Sequence, residues 1–107
     1  MQVQISGQQL AVTEALRAHV LGKIDRLNRT YKKTTNLAVV LSVSKREQRA
    51  DATLAVAGTT LRAEAVESNL YGSIDRLFDR LVGQLRKYHG KVYDKHAMEV
   101  RKERLSS

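Results

Sequence analysis

Residues 69–96, NLYGSIDRLFDRLVGQLRKYHGKVYDKH, form a long amphipathic helix in which two faces are legible at once. Leu70, Ile74, Leu77, Leu81, Leu85, Tyr88 and Val92 recur at steps of three and four, which places them on one side. Arg76, Arg80, Lys87 and Lys91 keep a similar rhythm on another side, at steps of four, seven and four. One side therefore meets a protein core, and the other offers a ladder of cations. A ladder at that pitch suits a row of phosphates better than a single anion.

Working back toward the N-terminus, the pattern alternates between periods of two and 3.6. Residues 2–6 (QVQIS) make a short half-buried strand with Val3 and Ile5 on one side, broken by Gly7. Thr13 is placed as an N-cap, followed by a helix whose stripe is Leu16, Val20, Ile24, Leu27 and Tyr31. Leu37, Val39, Leu41 and Val43 alternate in a β-branched stretch that reads as a strand. Residues 45–51 (KREQRAD) read as a charged connection. A third strand carries Ala52, Leu54 and Val56 on one face, and Gly58 marks a tight turn. The fourth strand points Leu61, Ala63 and Ala65 inward, and Ser68 or Asn69 caps the long helix. The expected fold is α+β, in the order β-α-β-β-β-α, with two helices packed on one face of a four-stranded sheet. Residues 1–96 make the folded domain, and 97–107 (AMEVRKERLSS), without an apolar stripe, make a flexible C-terminal tail.

Composition narrows the function. The 107 residues make one small domain, with 19 Lys and Arg against 11 acids, a net charge of +8. Such a balance points to nucleic acid, to an anionic membrane surface or to solubility alone. No apolar run reaches the length of a membrane span, and the N-terminus has no signal-like pattern, so no membrane partner is expected. Cysteine is absent, which excludes disulfides and thiolate chemistry and fits a reducing cytoplasm. On the first helix His19, Lys23, Arg26 and Lys33 share one flank of the apolar stripe. Two such helices on one sheet face can merge their flanks into a continuous basic surface, which favours nucleic-acid binding over a merely solvated face. Lys45, Arg46 and Arg49 form a second basic cluster, placed in the loop after the second strand.

Enzymatic readings find little support. Asp75 and Asp79 are an i,i+4 carboxylate pair, but nearby Arg76 and Arg86 explain them as charge balance. The six glycines show no phosphate-loop spacing, and no Ser-His-Asp motif is present. His19, His89 and His96 lack any HExxH-type pair, so neither a metal nor another cofactor is expected. Tyr71, Phe78 and Tyr88 fall on or beside the stripe as packing residues, and Tyr93 falls off it.

Three segments together resemble the ribosome hibernation promoting factor family, which includes the ribosome-associated inhibitor and sigma-54 modulation proteins. They are the opening MQVQISGQQLAVTEALR, the strand ADATLAV, and AEAVESNLYGSIDRLFDRLVGQL from Ala63 to Leu85. The resemblance runs from Met1 to about His96. It implies the fold derived above and binding of small-subunit ribosomal RNA in the channel for messenger and transfer RNA. It also implies inhibited translation in stationary phase or stress, and promotion of inactive ribosome dimers alongside a separate ribosome modulation factor. The family's basic positions map onto Lys23 and Arg26 of the first helix and onto Arg80, Lys87 and Lys91 of the second, while Gly83 departs from a position that can be basic. With Arg76 from the cation ladder, these are the expected RNA-binding residues. Long members carry a second domain that dimerises ribosomes, and this chain ends before any such domain, so the short form is expected. A sister branch that holds ribosomes as inactive monomers has an acidic tail, whereas EVRKERLSS is basic. That branch, a general double-stranded RNA-binding module and a self-associating adaptor stand as alternatives, and the oligomeric state is open.

Overall fold

The computed structural model describes the backbone of residues 1–30 and 34–106, and the side chains of 1–30 and 34–88. The elements follow the order β1 (Gln2–Gln8), α1 (Glu14–Thr30), β2 (Thr34–Ser44), β3 (Glu47–Val56), β4 (Thr59–Glu67) and α2 (Leu70–Ser106). The sheet runs β1-β2-β3-β4. β1 lies parallel to β2, as a helical crossover between neighbouring strands requires, and the other two pairings are antiparallel. This is the expected β-α-β-β-β-α arrangement.

One face of the sheet is apolar because alternate residues share a side. Leu37, Val39 and Leu41 of β2 and Ala50, Ala52, Leu54 and Val56 of β3 are buried there. Leu16, Val20, Ile24 and Leu27 of α1 close the core from above, with Ile74, Leu77, Phe78, Leu81, Val82 and Leu85 of α2. The α2 stripe is wider than a row at steps of three and four, since Phe78 and Val82 belong to it. Leu70 and Tyr88 pack at its margins. The cross-strand pairs Ala50–Ala65 and Ala52–Ala63 are small, which leaves room for the larger side chains of α2, packed on β3 and β4. Tyr31 and Val92 lie outside the described side chains.

Both helix starts are capped from the side chain. Leu16 N donates to Thr13 Oγ1 at 3.2 Å, and Tyr71 N donates to Asn69 Oδ1 at 2.7 Å, so Asn69 rather than Ser68 is the second cap. Ser73 is fully buried, and its hydroxyl donates to the Gln48 carbonyl while accepting from Glu67 N at 3.1 Å. Leu70 N donates to Gln48 Oε1 at 2.8 Å, so β3 anchors the start of α2. Among the described residues no buried side-chain nitrogen or oxygen lacks a partner.

Three local expectations are corrected. Gly7 does not end β1, which continues to Gln8, and the chain turns at Gln9 with φ of +62°. A Cβ on Gly7 would lie 2.5 Å from the Leu10 carbonyl oxygen, so glycine serves the close return of the chain. Residues 45–51 are not a loop. β3 begins at Glu47, and only Lys45 and Arg46 form the turn. The polar run misleads because Arg49 and Asp51 occupy the outer face of the strand while Ala50 fills the core. Tyr71 is not a packing residue. It is exposed, and its ring stands edge-on to His19 with centroids 5.1 Å apart. The Ala57–Gly58 turn is as expected, with Gly58 at φ of +89°.

The backbone of α2 stays helical past residue 96, the expected end of the domain, to Ser106. Residues 97–105 are mostly good helix formers with no glycine or proline to stop the helix.

Candidate nucleic-acid interface

The two helices meet along a charged seam. His19, Lys23 and Arg26 stand on the flank of α1 turned toward α2, and Asp75 and Asp79 stand on the flank of α2 turned toward α1. Lys23 Nζ lies 3.1 Å from Asp75 Oδ1, and Arg26 Nη1 donates to Asp79 Oδ1 at 2.6 Å. His19 Nε2 lies 2.6 Å from the same Asp75 oxygen, an arrangement in which the ring donates and the carboxylate accepts. Partial burial disfavours the Asp75 carboxylate. Hydrogen bonds from His19 and Lys23 and their positive charge outweigh it, holding the pKa below the ordinary value. The two aspartates are therefore cross-helix partners of the first helix's cations, where the sequence pointed to Arg76 and Arg86.

On the opposite flank of α2 the cations face β4. Arg76 Nη1 donates to Glu67 Oε1, and Arg80 Nη1 donates to the Glu64 carbonyl. Gln84 Nε2 donates to the Arg62 carbonyl at 2.7 Å, and the Tyr88 hydroxyl donates to the Ala57 carbonyl. Lys87 is exposed beside this row. The structure thus divides the predicted residues. Lys23 and Arg26 are brought together at the seam, Arg76, Arg80 and Lys87 line the β4 side, and the Lys91 side chain lies outside the described residues, as do those of Tyr93, His89 and His96. Arg76, Arg80 and Lys87 lie on the flank of α2 away from the seam, where Asp75 and Asp79 pair with Lys23 and Arg26.

Arg49 does not belong with Lys45 and Arg46. It sits on the outer face of β3, where Nε donates to Asp51 Oδ2 at 3.1 Å and Nη2 to Glu64 Oε2. The Asp51 hydrogen bond and charge, then the Glu64 charge, raise its pKa. The sequence reading also missed Arg62, an exposed β4 residue that lines an open trough with Arg80 and Lys87. The signal was present: Arg62 alternates with the inward Leu61 and Ala63, so it had to face out. Among the described residues no helix is long and apolar enough to cross a membrane.

Arranged this way, the surface can bind polyanions. Its cations sit on regular elements at helical spacing, and exposed ion pairs of this kind exchange their partners at little cost. Comparison with known proteins agrees with the architecture. The family model described as sigma 54 modulation protein / S30EA ribosomal protein matches residues 3–93. A ribosome hibernation promoting factor of Azotobacter vinelandii is 43% identical over 95 residues, covering 89% of each chain. A ribosomal subunit interface protein from Coxiella burnetii superposes with a TM-score of 0.80 at 28% identity, over 84% of this chain and 99% of that one. The Thermus thermophilus Protein Y N-terminal domain superposes with a TM-score of 0.76 at 33% identity, over 82% and 99%. With the family model spanning most of the sequence and the strand order and helices matching solved relatives, the chain belongs to the sigma 54 modulation protein / S30EA ribosomal protein family.

Proposed function

We propose that this protein is a ribosome hibernation factor that binds the small ribosomal subunit in the channel for messenger and transfer RNA. It inhibits translation by occupying that channel and promotes inactive ribosome dimers, with a separate modulation factor as a partner. The observation that carries the reading is the pair of cation rows flanking α2, in a chain whose relatives bear the name ribosome hibernation promoting factor. Lys23, Arg26, Arg76, Arg80, Lys87 and Lys91 contact ribosomal RNA. Arginine does so through paired N–H donors, and lysine as a mobile point charge. Cations presented from helices read phosphate and groove shape rather than base sequence. A folded domain anchored at several points blocks initiation by occupancy, so the function needs no catalytic step. It acts in the cytoplasm, where the ribosomes are. Residues 1–96 suffice for it, and 97–107 are dispensable.

Cosedimentation with purified small subunits and whole ribosomes across a salt series tests the proposal. Binding should weaken steeply with salt, each phosphate contact adding roughly 0.7–0.9 to the log–log slope. The combined substitution Arg80→Ala, Lys87→Ala, Lys91→Ala should weaken binding and relieve inhibition in a cell-free translation assay while the fold persists. Salt-independent binding, or full inhibition by a folded triple variant, would refute the site.

A further inference from the structure

The edge of β4 is occupied in an unusual way for an exposed strand. Its outward carbonyls at Arg62 and Glu64 are already acceptors, for Gln84 and Arg80 of α2. A strand from another protein would find those acceptors taken. What the edge does offer is charge. The trough between β4 and α2 is lined by Arg62, Glu64, Arg80, Gly83, Gln84 and Lys87. Arg62 lines it from β4, and Arg80 and Lys87 line it from the helix. Its one acid, Glu64, is engaged by Arg49 and is held on the outer face. Among the described residues Arg62 and Lys87 have no ion-pair or hydrogen-bond partner for their cationic groups. Arg80 uses one Nη1 N–H on the Glu64 carbonyl, which fixes the guanidinium at the rim and leaves its other N–H groups for a ligand.

We infer that this trough seats a phosphate of an RNA backbone, with Arg62 as a contact residue not found among the helical cations. The inference rests on the ribosome-binding function proposed for the same helix. The chemistry is that of an oxyanion with several acceptor oxygens, met by two planar guanidinium groups and one ammonium. A backbone is favoured over a lone anion because the cation row continues along α2. Arg76 to Lys87 spans eleven residues, or roughly 16 Å of helix at 1.5 Å per residue, long enough for several consecutive phosphates. A backbone also explains why the trough is open along its length rather than closed around one ion.

Cosedimentation with small subunits over a salt series compares the parent with Arg62→Ala, Arg62→Lys and Arg17→Ala. Arg17 is exposed on the first turn of α1 and serves as the control of equal charge. Arg62→Ala should bind several-fold more weakly than the parent at moderate salt, and its log–log slope should be shallower by roughly 0.7–0.9. Arg62→Lys should keep most of that slope, and Arg17→Ala should change both quantities less. Equal behaviour of Arg62→Ala and Arg17→Ala, with the parent still binding, overturns the trough and leaves the ribosome-binding function standing. A parent that binds no subunits overturns both. The source of the anion is read by NMR of the arginine Nε–H signals, titrated with inorganic phosphate, a short RNA oligonucleotide or polyglutamate. The Arg62 and Arg80 signals should move with the RNA at concentrations where the other two leave them unmoved. Movement with phosphate at equal concentration, or with polyglutamate as strongly as with RNA, overturns the backbone assignment.

Discussion

Arg80 and Leu81 are neighbours in the chain and opposites in the structure, so substituting each by alanine separates binding from folding. Leu81 is fully buried in the core between the helices and the sheet. Leu81→Ala removes three carbons from that site, a transfer loss of roughly 2.4 kcal/mol at about 0.8 kcal/mol per methylene-sized group. The unfilled space adds to this, so the whole cost should fall at about 3–5 kcal/mol. For a domain of this size each kcal/mol lowers the melting temperature by roughly 4–8 °C, so the variant should melt at least about 12 °C below the parent. Arg80 is exposed, and its one described contact is the Glu64 carbonyl. Arg80→Ala should therefore cost about 1 kcal/mol or less. Urea titrations followed by far-UV circular dichroism give both stabilities. Subunit binding is then measured at a temperature where each variant is folded, and there only Arg80→Ala should be weakened. A loss below about 1 kcal/mol at Leu81, or equal losses at the two positions, would show that the apolar face of α2 is wrongly placed.

Gly83 is exposed where α2 borders the trough, and a Cβ there would meet nothing within 4 Å, so Gly83→Ala should stabilise the fold by roughly 0.5–1 kcal/mol. A destabilised variant would mean that the space over Gly83 is not open. Gly7→Ala should do the opposite, because its Cβ would be 2.5 Å from the backbone oxygen of Leu10. A Gly7→Ala protein with the parent's melting temperature would contradict that close return. The Asp75 carboxylate has a depressed pKa in the fold, so its contacts stabilise the protein above its unfolded pKa of about 3.9 and are lost as pH falls through the folded value. Because its side chain is 48% exposed, Asp75→Asn should cost at most about 1 kcal/mol near neutrality. That gap should close in strong acid, and a gap of the same size at both ends of a pH series would exclude the ionic seam as its source.

Element order, sheet face and core were legible in the sequence because each depends on a local period. Leu37, Val39 and Leu41 alternate wherever the strand is placed, and Ile74, Leu77, Leu81 and Leu85 share a helical face in any fold that keeps the helix. Thr13 as a cap and Gly58 as a turn are equally local, since each acts within a few residues of itself. The reading failed where outward polar residues resembled a loop, as at Glu47–Asp51, because a strand's solvent face carries the same side chains as a connection. Arg76, Arg80 and Lys87 could be placed on one side of α2 from spacing alone. Which neighbour that side faces could not. Only the packing of α2 between α1 and the β4 edge decided that Asp75 and Asp79 would meet Lys23 and Arg26, and that Arg80 would reach the Glu64 carbonyl. Those contacts join residues more than fifty positions apart in one case and sixteen in the other, and helical spacing carries no information across such separations. The sequence by itself determined how much positive charge the protein carries and on which sides of each helix it lies. The tertiary structure decided which of those cations face an acid and which face an open trough, because a charge's partner depends on distance through space, and space is arranged by the sheet.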